Sequence, residues 1–107
     1  MNLCHCLTCR RIHGAPFAVY AIFERSAVTI DGDTIAWSSS EHGKRHHCPT
    51  CGSPIFLAFD GIEEIEVPTG LFDQPGLFLP EYEIWCKHAE PWHDAQGRPC
   101  YPEARPE

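Results

Sequence analysis

Cys4-His5-Cys6-Leu7-Thr8-Cys9 and Cys48-Pro49-Thr50-Cys51-Gly52 hold five of the seven cysteines of the chain. Thiolates are soft ligands that bind Zn²⁺ in tetrahedral geometry, and a Cys-x-x-Cys turn places two sulfurs on one ion. Pro49 and Gly52 suit the tight turn of a zinc knuckle. The spacing Cys4-x-Cys6-x-x-Cys9 is less common and therefore more diagnostic. We read Cys4, Cys6, Cys9, Cys48 and Cys51 as metal ligands, with zinc as the cofactor. Three thiolates with no evident fourth protein ligand describe a catalytic or exchangeable site better than a closed structural one.

Other uses of cysteine fit less well. A disulfide framework goes with a secretory signal and an even cysteine count, and the opening Met1-Asn2-Leu3 has no basic or apolar leader. Free core cysteines do not cluster three in six residues. A redox Cys-x-x-Cys opens a long helix, whereas Cys51 runs into Gly52-Ser53-Pro54. Cys86 and Cys100 are isolated and read as small buried hydrophobes or free thiols. Reduced cysteines without a leader place the protein in the cytoplasm.

At 107 residues the chain is expected to form one zinc-binding domain over residues 1–107, with metal helping to fix a small core. Ten prolines and eight glycines argue against a helical bundle. No apolar run approaches the roughly 18 residues of a membrane span. A net charge of −7 disfavours nucleic acid, whose phosphates repel an acidic surface. The basic run Lys44-Arg45-His46-His47 reads as a solvated strand edge.

The pattern predicts a mainly β fold. A helical turn over Cys9–His13 ends at Gly14-Ala15-Pro16. Strands are expected over Phe17–Phe23, Val28–Ile30, Thr34–Trp37, Pro54–Phe59, Ile62–Val67 and Tyr82–Cys86, with a hairpin at Asp31-Gly32-Asp33. Phe17, Tyr20, Trp37 and Trp85 read as core, and the tail from Pro102 to Glu107 reads as frayed.

These stretches also carry a likeness. Cys4 to Arg11, Gly14-Ala15-Pro16-Phe17, His47-Cys48-Pro49-Thr50-Cys51-Gly52 and Gly70-Leu71-Phe72-Asp73-Gln74-Pro75 appear in the order of one family, with Ile84-Trp85 and Pro91-Trp92 in support. The chain resembles the glutathione-dependent formaldehyde-activating enzymes, a family that includes the centromere protein V domain. The resemblance implies a β-tent of short antiparallel sheets around zinc. It also implies a second zinc on the three-cysteine motif, near where glutathione binds. Family members carry a further Cys-x-Cys about 20 residues before that motif, which joins the Cys-x-x-Cys pair on the structural zinc. In this chain that strand is expected to be missing, leaving Cys48 and Cys51 with an incomplete shell. His46 is the better local candidate to complete it, because His47, next to Cys48, points the other way in an extended segment.

The activity implied is that of a carbon–sulfur lyase acting on the adduct of glutathione and formaldehyde, S-hydroxymethylglutathione. Cys4, Cys6 and Cys9 would form the catalytic centre. Arg10 and Arg11 would bind a carboxylate of a small thiol such as glutathione, and His13 would carry a proton. For either arginine surface solvation is an equal reading, and for His13, a lone histidine, a plain polar surface position is the commoner one. The alternative function is a noncatalytic zinc-binding interaction module, since a fold alone does not fix a function.

Overall fold

The structure, a computed structural model, describes residues 1–106. It is mainly β, as expected. Among the described residues there are seven strands, β1 (Asn2–Cys4), β2 (Ala18–Glu24), β3 (Ile35–Ser38), β4 (Gly43–His47), β5 (Pro54–Phe59), β6 (Glu64–Pro68) and β7 (Tyr82–Ile84), and one α-helix, α1 (Leu7–His13). Among them, too, no helix is long and apolar enough to cross a membrane. The chain forms two compact units. One comprises Met1–Tyr20 with the stretch from Phe72 onward, and the other is Ala21–Leu71.

In the first unit β1 is the central strand. It pairs antiparallel with the start of β2, Leu3 opposite Val19, and parallel with β7, Leu3 opposite Glu83 and Cys4 opposite Ile84. The pattern gave no strand over residues 2–4, because three residues are too few to show an alternation, and it gave no parallel pair. Leu3, Cys4, Ala18 and Tyr20 are buried there together with Asn2, His5 and Glu83. Helix α1 follows after one turn. The Cys6 sulfur caps it by accepting from the Cys9 N–H at 3.2 Å, and Gly14 ends it at φ 56°, where a side chain would be strained. Arg10, Arg11 and His13 lie in its last turn, where positive charge suits the helix dipole.

Strand β7 stops at Ile84 and not at Cys86, because Trp85 turns out of it at φ 56°. A bulky residue in the left-handed region costs on the order of 1–3 kcal/mol and persists only when its surroundings fix it. Here they do. Trp85 N–H donates to Glu103 O at 3.0 Å, Cys86 N–H to Tyr101 O at 3.0 Å, and Tyr101 N–H to Glu83 O at 2.9 Å. A disulfide joins Cys86 to Cys100. Both cysteines were expected to be unpaired. The pairing is invisible in the sequence, where 14 positions separate them and neither sits in a motif. The tail is likewise held further than expected, since Lys87 Nζ reaches Glu103 at 2.9 Å and Arg105 lies over the Tyr82 ring. Glu107 lies outside the described residues.

The second unit is an antiparallel meander, β3-β4-β5-β6. Lys44–His47 is therefore an inner strand and not an edge, with Arg45 buried. The edge is β3, where Ile35 and Trp37 are 59% and 50% exposed, so Trp37 is not core. Val28–Ile30 forms no strand, and Asp31-Gly32-Asp33 makes no hairpin. The reversal lies between β3 and β4, where Ser40 Oγ accepts from the Gly43 N–H at 3.0 Å. A Cβ at Gly43 would meet Ser40 Oγ at 2.8 Å and the Phe59 ring at 2.9 Å, so this buried turn end has room only for glycine. In β6, Ile65 is fully buried and Glu64 exposed, as the period-two pattern requires.

Burial raises the Glu66 carboxyl to about 7, with Arg45 pulling against it and Glu64 adding to the rise. The native chain keeps a proton there that the unfolded chain loses near its ordinary value of 4.5. Glu66 thus costs stability progressively as pH climbs through that window. Glu66→Gln removes the cost. In urea unfolding the variant should gain about 2 kcal/mol on the wild type between pH 5 and pH 8. Parallel stability–pH curves for the two proteins would contradict this.

Candidate functional site

The end of β1 and the start of α1 bring three sulfurs together. Those of Cys4, Cys6 and Cys9 all lie within 4.8 Å of one another. Cys4 and Cys9 are buried and Cys6 is half-buried, so the set opens on one side. Tetrahedral Zn–S bonds of roughly 2.3 Å require sulfurs roughly 3.8 Å apart, within a small contraction of this arrangement. The electrostatics point the same way. Hydrogen bonds to the Cys6 and Cys9 sulfurs, then burial, then the charge of Cys9 push the Cys4 thiol far above its ordinary value. The three thiols cannot all ionise side by side without a cation, and a bound divalent ion inverts that preference. The donor set therefore fits zinc.

His5, between two of these cysteines, was given no role by the sequence. It is fully buried, and its N–H donates to Ile84 O at 3.0 Å. Its Nε2 lies 2.6 Å from Glu83 Oε1. His93 Nε2 meets the same oxygen at 2.7 Å, while Arg98 Nε and Nη2 donate to Oε2 at 3.1 and 2.9 Å. Burial raises the Glu83 carboxyl, but the hydrogen bonds from His5, Arg98 and His93 outweigh it and hold the group below its ordinary value. An ionised carboxylate only accepts, so both imidazoles present Nε2–H to it. His5 Nδ1 is buried without a hydrogen-bond partner among the described residues. His5, Glu83 and Cys86 also bring ligand atoms within 4.8 Å of one another, but the Cys86 sulfur is taken by the disulfide.

Helix α1 also lines a cleft of about 490 Å³ through Leu7, Arg10 and Arg11, together with Gly14, Ala15, Pro16 and Glu90. The two arginines differ. Arg10 is paired with the Glu90 carboxylate and donates to His88 O at 3.1 Å, whereas Arg11 is exposed. The Tyr20 hydroxyl lies 2.7 Å from His13 Nε2 and 3.9 Å from the Cys9 sulfur. His13 is thus tied to the thiol set through one phenol.

Cys48 and Cys51 lie on the turn between β4 and β5. Gly52 N–H donates to Cys48 O and Cys48 N–H to Ser53 O, both at 2.9 Å. Hydrogen bonds from Ser53, then from Cys48, hold the exposed Cys51 thiol below its ordinary value. No third cysteine, histidine or carboxylate ligand atom joins them among the described residues. His46 does not complete the pair: it stacks on Phe56 at 4.0 Å and bonds Thr34 through Nδ1 at 2.8 Å.

Glu83, His93, Arg98 and Glu90 went unnoticed in the sequence. A glutamate in Tyr82-Glu83-Ile84 looks like the wet face of a strand, and only the β1–β7 pairing shows it to be inside. The model of a family described as glutathione-dependent formaldehyde-activating enzyme matches residues 1–88. No curated protein matches the chain. The matched span includes all five clustered cysteines, both arginines and Glu83, and it ends before His93, Arg98 and Cys100. The chain belongs to the glutathione-dependent formaldehyde-activating enzyme family, which ties its function in general terms to glutathione and formaldehyde.

Proposed function

We propose that the protein is a zinc-dependent carbon–sulfur lyase acting on S-hydroxymethylglutathione, which it forms from glutathione and formaldehyde and cleaves in reverse. The observation that carries this reading is the set of three sulfurs within 4.8 Å, at the foot of the same helix that lines the cleft. Cys4, Cys6 and Cys9 would hold the zinc. When bound, zinc supplies the positive charge that lowers the pKa of a substrate thiol beside it. The thiolate sulfur then adds to the formaldehyde carbon, and the carbonyl oxygen takes up a proton. The Tyr20 hydroxyl, between His13 and Cys9, is placed to pass a proton between the set and solvent. Arg11 is suited to a glutathione carboxylate through a bidentate pair. Arg10 can join only where a ligand carboxylate replaces Glu90, so its main part is to shape the cleft.

Two further readings belong with this one. A structural zinc at Cys48 and Cys51 is supported by their knuckle-like turn, with the remaining ligands coming from outside it. A cytoplasmic setting suits the five cysteines that form no disulfide, against which the one Cys86–Cys100 disulfide suits a more oxidising one.

In the Cys48→Ser/Cys51→Ser background, Cys6→Ser should abolish stoichiometric zinc by mass spectrometry of the metal while leaving the circular dichroism unchanged. Full zinc retention would contradict the three-cysteine site.

Calorimetric titration of the zinc-loaded chain with glutathione tests the cleft. Arg11→Ala should weaken binding by about tenfold, the loss of one charge-assisted contact, and Arg10→Ala by less. Affinity should also fall as salt rises. No heat at millimolar glutathione, with zinc bound, would favour the noncatalytic zinc-binding module.

A further inference from the structure

The segment after residue 88 lies beyond the family match, yet it is tied to the metal-binding motif at several points. His93 and Arg98 supply three of the four hydrogen bonds that the Glu83 carboxylate receives, and the fourth comes from His5, between Cys4 and Cys6. Residues 99–103 run beside β7, through Glu83 N–H to Pro99 O at 2.8 Å and Tyr101 N–H to Glu83 O at 2.9 Å. The Cys86–Cys100 disulfide closes this arrangement two residues past Arg98. Its two residues differ in exposure. Cys100 is exposed, while Cys86 is half-buried and lies within 4.8 Å of ligand atoms of His5 and Glu83.

We propose that this disulfide is a thiol-exchange site, attacked by a small thiol at Cys100, and that opening it releases the Arg98–Glu83–His5 clamp on the Cys4-Cys6-Cys9 motif. The difference in exposure sets the preferred direction, because an incoming thiolate meets the exposed Cys100 ahead of the half-buried Cys86. The attacking sulfur bonds to the Cys100 sulfur, the S–S bond breaks, and Cys86 leaves as a thiolate that takes a proton from water. A second thiol attacks the mixed disulfide, freeing Cys100 and forming the disulfide of the small thiol. Two small thiols are oxidised and one protein disulfide is reduced. Once the crosslink is gone, the Arg98 segment is held by hydrogen bonds alone, among them Arg98 N–H to Ala95 O at 3.1 Å and the backbone pairing of residues 99–103, and the two bonds from Arg98 to Glu83 open more often. The inference stands apart from the lyase reading, since it requires neither zinc nor formaldehyde.

Reduced glutathione under argon is the probe, because it forms a mixed disulfide only where a protein disulfide already exists. Intact-mass and peptide mapping should find one glutathionyl group, on Cys100. Native hydrogen exchange should then show faster exchange at the Tyr101 amide, which donates to Glu83 O, and, by about tenfold, at the His5 amide, which donates to Ile84 O. Cys86→Ser/Cys100→Ser should show the fast His5 exchange without glutathione and take up none of it. Arg98→Gln, which keeps the crosslink, should speed His5 exchange on its own. A disulfide that resists millimolar glutathione, an adduct on Cys86, or faster exchange confined to residues 99–103 would each overturn the proposal. Zinc binding with no thiol exchange would do so too, while leaving the lyase reading in place.

Discussion

A carboxylate with no access to water must be satisfied where it sits, and Glu83 meets that demand with four hydrogen bonds from His5, His93 and Arg98. An unpaired buried charge costs several kcal/mol, so this one position dictates where three other side chains go. Through His5 it reaches the turn between Cys4 and Cys6. Through Arg98 and His93 it draws the C-terminal segment onto β7. The parallel pairing of β1 with β7 sets the backbone beneath all of this, with Leu3 opposite Glu83 and Cys4 opposite Ile84. The three sulfurs converge because β1 ends, one turn follows, and α1 begins on a sulfur cap. Glu83 holds the turn between β1 and α1 through His5, and the Cys6 cap forms within the motif itself.

The cleft along α1 carries a charge imbalance within an acidic protein. The chain carries a net charge of −7, yet α1 presents Arg10 and Arg11 beside the thiol motif. Glu90 neutralises the first and leaves the second exposed, so the cleft keeps one cation for an anionic ligand.

Much of the site could be read from the sequence because thiol ligands announce themselves by spacing. Cys4, Cys6 and Cys9 are adjacent in the chain, so local geometry alone brings them together, and the turn at Cys48 and Cys51 follows from Pro49 and Gly52. The strands β2, β5 and β6 were visible as apolar or alternating runs. What escaped was everything set by long-range pairing. Asn2–Cys4 is too short to carry a pattern and becomes a strand only between two partners. Glu83 looks solvent-facing until β1 covers it. Cys86 and Cys100 meet because Trp85 turns the chain, and Trp37 lies on an edge because the hairpin forms one turn later than Asp31-Gly32-Asp33 suggested. Each of these is a tertiary choice that overrides a local preference.

The central claim is that Cys4, Cys6 and Cys9 hold a single zinc with one position left for a thiol. X-ray absorption at the zinc edge, on the Cys48→Ser/Cys51→Ser variant loaded with one zinc, measures this directly. The account predicts a shell of three sulfurs at roughly 2.3 Å with one lighter atom, and a fourth sulfur in its place when glutathione is added. Four sulfurs before glutathione, or a shell that glutathione leaves unchanged, would contradict it.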